Sequence, residues 1–112
     1  MRLRLNREFQ RVYRQGKRRQ GQGFTLIFAA NHSGETAGGA CRRLGISVRR
    51  KVGSAVRRNR IKRLFREFFR LHQERFPRAS DIVIAVQPGF VCDSLAALEQ
   101  ELKAVLPQDR AV

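Results

Sequence analysis

Ser54-Ala55-Val56-Arg57-Arg58-Asn59-Arg60-Ile61-Lys62-Arg63-Leu64-Phe65-Arg66-Glu67-Phe68-Phe69-Arg70-Leu71-His72-Gln73-Glu74 contains neither Gly nor Pro, and Ile61, Leu64, Phe65, Phe68 and Leu71 recur at helical spacing. That spacing predicts a long amphipathic helix. At about 100° per residue from Ile61, these side chains and Phe69 fall within about 80° on either side, a stripe that must meet a core. Lys62, Arg66, Asn59, Arg70 and Arg63 fall on the opposite side, with Arg60 at the margin and only Glu67 to offset them. Like charges this close destabilise an isolated helix by about 0.2–0.5 kcal/mol per pair. A merely solvated face gains nothing from uniform sign, because mixed charges confer solubility equally well. Phosphates would supply the missing anions, and arginine, the majority cation here, suits bidentate phosphate contact and stacking on bases.

The excess of positive charge extends beyond this helix. The 112 residues carry 24 Lys plus Arg against 9 Asp plus Glu, a net charge of +15, where about 2 to 8 suffices to keep a small domain soluble. Residues 1–19 hold eight basic residues and one acidic, and residues 42–70 hold twelve and one, while the segment after residue 70 is slightly acidic. Such a surface calls for a polyanion: nucleic acid, which releases counterions as phosphates are neutralised, or an anionic membrane. No apolar run approaches the roughly 18 residues of a spanning helix, and Met1-Arg2-Leu3-Arg4-Leu5-Asn6 lacks the apolar centre of a signal peptide. A cytoplasmic nucleic-acid-binding protein without membrane contact is expected. With 42% hydrophobic residues the chain should fold, and its length suits one domain over residues 1–112.

Around the central helix the pattern alternates between helix and strand. Leu5, Phe9, Val12 and Tyr13 form one stripe of a first helix that starts near Asn6 and ends at Gly16. Phe24-Thr25-Leu26-Ile27-Phe28-Ala29 and Leu44-Gly45-Ile46-Ser47-Val48 read as strands of one antiparallel sheet, joined by a Gly/Ser-rich connection at 32–39. Asp81-Ile82-Val83-Ile84-Ala85-Val86, closed by Pro88-Gly89, reads as a strand buried on both faces. A last helix starts near Asp93, puts Leu95, Leu98, Leu102, Val105 and Leu106 on one side, and stops at Pro107.

Catalytic patterns are missing. The nine acids are scattered, His32 and His72 are isolated, and Cys41 and Cys92 form no Cys-x-x-Cys, so no zinc site, disulfide framework or nucleophile-base pair is indicated.

The run from Ser47 to Glu67, centred on Arg58-Asn59-Arg60, resembles the signature of the bacterial ribonuclease P protein family. Glu8-Phe9, Val12-Tyr13, Gly16, Leu44-Gly45-Ile46-Ser47 and Asp81-Ile82-Val83-Ile84-Ala85 extend the resemblance, in order, across residues 3–87. One departure is visible: where relatives often have Ser-Lys-Lys, this chain has Arg49-Arg50-Lys51. The resemblance implies an α+β fold, a two-layer α/β sandwich with an about four-stranded mixed sheet packed against helices in the order α-β-β-β-α-β-α. It also implies a left-handed βαβ crossover through the central helix, a rare connection that the residues alone would not suggest. The segment from Phe24 to Arg49 would then hold two or three strands.

The same resemblance implies a catalytic RNA that positions magnesium ions, with the protein as an accessory subunit that is inactive alone; the residues themselves indicate no metal or cofactor of its own. Arg57, Arg58, Asn59, Arg60, Lys62, Arg63, Arg66 and Arg70 would contact that RNA near the cleavage site. The 5′ leader of precursor tRNA would lie in a cleft between the first helix and the sheet, beside Phe9, Tyr13, Arg49, Arg50 and Lys51. Single-stranded bases stack on such rings for about 1–3 kcal/mol each, although Phe9 would serve equally well in core packing. The expected assembly is one protein with one RNA subunit and precursor tRNA, without DNA. Charge alone leaves a ribosomal protein or RNA chaperone as the alternative. A DNA-binding helix module would need a second helix a short turn before the central one, and Ile46 to Val48 read as strand instead.

Overall fold

The apolar run at residues 82–86 is the spine of the molecule. The computed structural model describes residues 6–30, 42–76 and 80–106. In chain order they form α1 (Asn6–Gln15), β1 (Lys17–Gly21), β2 (Phe24–Ala30), β3 (Arg43–Val48), α2 (Ala55–Leu71), β4 (Ser80–Val86) and α3 (Leu95–Val105). Short 3₁₀ turns at Arg50–Val52 and Gln73–Arg75 flank α2. The strands lie in the order β1-β2-β4-β3: β1 and β4 run antiparallel to β2, and β3 runs parallel to β4. The sheet is therefore mixed, and β2 and β3, expected as strands of one antiparallel sheet, are kept apart by β4.

Alternation along the strands sends successive side chains to opposite faces. Phe24, Leu26, Leu44, Ile82, Ile84 and Val86 join Ile61, Phe65, Phe68 and Phe69 of α2 and Leu98, Leu102 and Val105 of α3 in one core. Ile27, Ala29 and Val83 meet Val12 of α1 on the other face, so the sandwich of sheet and helices carries α1 on its second side. β2 and β4 are covered on both faces, which is why both read as continuous apolar runs rather than alternating ones. Phe24, Phe65 and Phe90 lock α2 onto the sheet, with ring centroids 5.4–6.0 Å apart.

The predicted helices form with small shifts at their ends. Ser54 caps α2, its hydroxyl accepting from the Arg57 N–H, and Ser94 caps α3 in the same way through Ala97. α2 ends at Leu71 rather than Glu74, and the chain tightens into the 3₁₀ turn at Gln73–Arg75. Leu71, placed in the apolar stripe by its spacing, is 46% exposed because it lies at the helix end, beyond the reach of the core.

The fourth strand lies before Phe24 rather than between Phe24 and Arg49. β1 has no apolar alternation because it is an edge strand with almost every residue exposed. Gln22 and Gly23 turn it into β2, with Gly23 at φ 81°, and the Gly23 carbonyl accepts from the Gln87 N–H at 2.8 Å. Leu5, the connection at 32–39, Cys41 and Pro107 lie outside the described residues. Among the described residues no helix is long and apolar enough to cross a membrane.

Candidate nucleic-acid interface

The outer face of α2 is built by the helix period. Asn59, Arg60, Arg63 and Arg70 are exposed, and Lys62 and Arg66 are half-buried along the same side. Arg60, Lys62 and Arg63 have no acidic partner among the described residues. Arg70 does: it pairs with Glu67 one turn earlier. That hydrogen bond is the main reason the Glu67 carboxyl sits below, and the Arg70 guanidinium above, its ordinary pKa.

Arg57 and Arg58 behave differently from the rest of their set. Both fall on the core-facing side of the helical wheel, and both turn back onto the protein. Arg57 donates to the Phe90 carbonyl at 2.9 Å and the Arg58 Nε to the Gly53 carbonyl at 3.2 Å. Each bond fixes the start of α2 against a neighbouring loop, leaving only the remaining N–H groups for an outside ligand.

The second element is a cleft of about 230 Å³ lined by Tyr13, Arg18, Thr25, Ile27, Ser47, Arg49, Ala85, Val86 and Gln87. Its origin lies in strand register. Thr25 and Ser47 both stand opposite Ala85, so three small side chains lie abreast across β2, β4 and β3 on the α1 side. α1 covers Ile27, Ala29 and Val83 further along the same face, and the small residues leave a groove beside it.

Tyr13 and Arg49 of the predicted leader set meet in this cleft. Arg50 and Lys51 do not line it; they are exposed in the turn that carries the chain from Arg49 to α2. Phe9 does not line it either and packs half-buried against the Val12, Ile27, Ala29 and Val83 cluster. Sequence reasoning missed Arg18, Thr25, Ser47 and Gln87. The Arg18 guanidinium donates to the Tyr13 carbonyl at 3.0 Å and lies 5.9 Å from the centre of the Tyr13 ring, which orders both walls together. The Gln22-Gly23 turn before Phe24 is the signal that could have revealed Arg18, because it implies a hairpin partner for β2.

A network of ion pairs fastens α1 beside the cleft. Asp81 is fully buried and accepts from both Arg11 of α1 and Arg43 of β3, while Arg43 also reaches Glu8 at 2.9 Å. Hydrogen bonding to Asp81 is the largest of the effects that raise the Arg43 guanidinium above its ordinary pKa. These carboxylates are thereby committed to arginines. No group of three or more His, Cys, Asp or Glu residues that could hold a metal ion occurs among the described residues.

Fold and charge define a small basic α+β protein of the RNA-binding class. The chain belongs to the ribonuclease P protein family: the profile described as Ribonuclease P matches residues 1–108. It is 50% identical over 93 residues to the ribonuclease P protein component of Desulfotalea psychrophila, covering 83% of this chain and 72% of that one. The structure of the RNase P protein from Thermotoga maritima superposes with a TM-score of 0.77 at 32% identity, over 99% of each chain. A Staphylococcus aureus RNase P protein mutant, described as having defective mRNA degradation activity, superposes with a TM-score of 0.74 at 31% identity, over 93% of this chain and 83% of that one.

Proposed function

We propose that this protein is the accessory subunit of ribonuclease P, binding the catalytic RNA through the outer face of α2 and the 5′ leader of precursor tRNA in the cleft beside α1. The observation that carries the reading is the adjacency of two surfaces. Arg60, Lys62 and Arg63 stand without acidic partners among the described residues on one helix, and the segment Arg49–Val52 leads from that helix directly into a groove walled by Tyr13. Phosphates neutralise the first surface, and a base stacked on Tyr13 occupies the second.

The residues support the same division of labour. Glu8, Glu67, Asp81 and Glu99 are each engaged by arginines, so they are poorly suited to serve as metal ligands. In the proposed complex magnesium is held by the RNA, where it would supply Lewis-acid and nucleophile-generating chemistry. The protein's own work is to hold the leader, and so to raise affinity for precursor over mature tRNA. A 1:1 complex in the cytoplasm, without DNA or a membrane, completes the reading.

Reconstitution tests it. The protein is added to a bacterial ribonuclease P RNA at near-physiological magnesium, and 5′-leader removal from precursor tRNA is followed. Stimulated cleavage at the mature 5′ end is expected, with no cleavage by the protein alone. Failure to stimulate would return the chain to the ribosomal-protein or RNA-chaperone class. Degradation of mRNA by the isolated chain would overturn its inactivity.

A further inference from the structure

The floor of the cleft continues to the edge of the sheet. Gln20 of β1 stands opposite Thr25, extending the row Ser47, Ala85, Thr25 across all four strands. Arg49 lies two residues beyond Ser47 on the β3 side and Arg18 two residues before Gln20 on the β1 side, a diagonal of about 20 Å across the sheet at the usual strand spacing and rise. A single strand crossing the groove from Arg49 therefore leaves over β1.

That edge is unusually basic. Arg14, Lys17, Arg18 and Arg19 put four cations within six positions, all exposed. None takes part in an ion pair among the described residues. Strand alternation directs Arg18 toward the cleft face, where Ile27 is its partner. It directs Lys17 and Arg19 toward the face of Phe28 and Leu26. Cations thus bracket the edge from both sides. An edge strand is kept from pairing with other sheets by as little as one well-placed lysine, so this density needs a further reason.

We infer that the leader enters the groove at Arg49, the end nearest α2, and leaves over β1, where Arg14, Lys17, Arg18 and Arg19 hold the phosphates of its distal part. The inference rests on the cleft being the leader site and adds a direction and a second set of contacts. The distal surface recognises chiefly phosphate, since its guanidinium and ammonium groups outnumber the single amide, Gln20, that β1 exposes beside them. Long leaders are consequently held more tightly than short ones, whatever their distal sequence.

Lys17→Gln with Arg19→Gln provides the test, because neither side chain lines the cleft. Binding of holoenzyme reconstituted with the wild-type or the double variant is measured on mature tRNA and on precursors with leaders of roughly 4 and roughly 16 nucleotides, the span of site sizes seen for single-strand-binding folds. For the wild type, affinity should rise from mature to short to long leader. For the variant, affinity for the long leader should fall about tenfold and that for the short leader stay within about twofold. Its salt slope should fall by about 1.4 units, the value for two phosphates of single-stranded RNA that are no longer neutralised. Equal falls on both leaders, no fall on either, or weakened binding of the RNA subunit itself would overturn the inference while leaving the cleft reading intact. A wild type indifferent to any leader would overturn both.

Discussion

Arg43 grips the fully buried carboxylate of Asp81 with two parallel hydrogen bonds of 2.9 Å, one from Nε and one from a terminal amine. Arg11 of α1 reaches the same carboxylate, so one acid at the start of β4 ties an edge strand and a helix to the centre of the sheet. Removing one partner of a buried pair typically costs 3–5 kcal/mol because the other charges are left uncompensated. Both guanidinium groups reach solvent here, 29% and 21% exposed, which favours the lower limit. Asp81→Asn should lower unfolding free energy by about 3 kcal/mol, read from urea titration. The Arg43 pKa is raised in the folded state, so its contribution is present below the unfolded value and fades only as pH rises through the higher folded one. The difference between wild type and Asp81→Asn should therefore be the same at about pH 7 and about pH 10. A difference that shrinks at the alkaline value would show that the fork does not account for the stability.

Gly23 closes the β1-β2 hairpin with a positive φ of 81°, and an added Cβ would lie 2.5 Å from both the N and Cα of Phe90. Backbone atoms cannot swing aside as a side chain can. Gly23→Ala combines a strained conformation with a backbone collision, and it should cost about 2 kcal/mol or more in thermal or urea unfolding. Gly89→Ala isolates the first effect: its φ is 107° but nothing lies within 4 Å of the added carbon. The destabilisation at Gly23 should be clearly the larger. Equal effects would mean that the Phe90 backbone yields.

The helices and the doubly covered strands are legible in the sequence because burial imposes a period: Ile61, Phe65 and Phe68 mark one face of α2, and Ile82 to Val86 leave no polar face at all. β1 is not legible, since an exposed edge strand is held by backbone hydrogen bonds to β2 and needs no apolar residues of its own. The same blindness hides half of the cleft. Ser47, Thr25 and Ala85 carry no charge or aromatic ring to attract notice, and only the register that sets them side by side makes a groove. Arg57 and Arg58 read as RNA-facing cations from their place beside Asn59; their second task, a hydrogen bond to the Phe90 and Gly53 carbonyls respectively, shows only in the fold.

That division separates two kinds of arginine on α2. Arg60→Ala with Arg63→Ala removes exposed charges that touch no described acid, so stability should change by less than about 0.5 kcal/mol. RNA-subunit affinity should fall, and the salt slope should flatten by about one unit for each phosphate no longer neutralised. Arg57→Ala removes a charged hydrogen bond to a backbone carbonyl and should destabilise the fold by about 1–2 kcal/mol. Thermal unfolding and salt-dependent RNA binding, measured on the wild type and both variants, distinguish the roles. An unchanged slope in the Arg60 and Arg63 variant would take the outer face of α2 out of the interface.

Among the described residues, Tyr13 is the aromatic side chain that both packs beside Val12 and lines the groove. Tyr13→Ala should weaken holoenzyme binding to precursor tRNA by the value of one stacked base, about 1–3 kcal/mol, and leave mature tRNA, which has no leader, nearly unaffected. Loosening of α1 would also lower affinity, so Tyr13→Leu and Tyr13→Phe are measured beside it. Leucine restores the apolar contact with Val12 but offers no ring, and phenylalanine restores the ring without the hydroxyl. Precursor selectivity should therefore disappear in Tyr13→Leu and persist in Tyr13→Phe. If leucine preserved the selectivity, Tyr13 would be a packing residue, and the base would have to stack elsewhere in the groove.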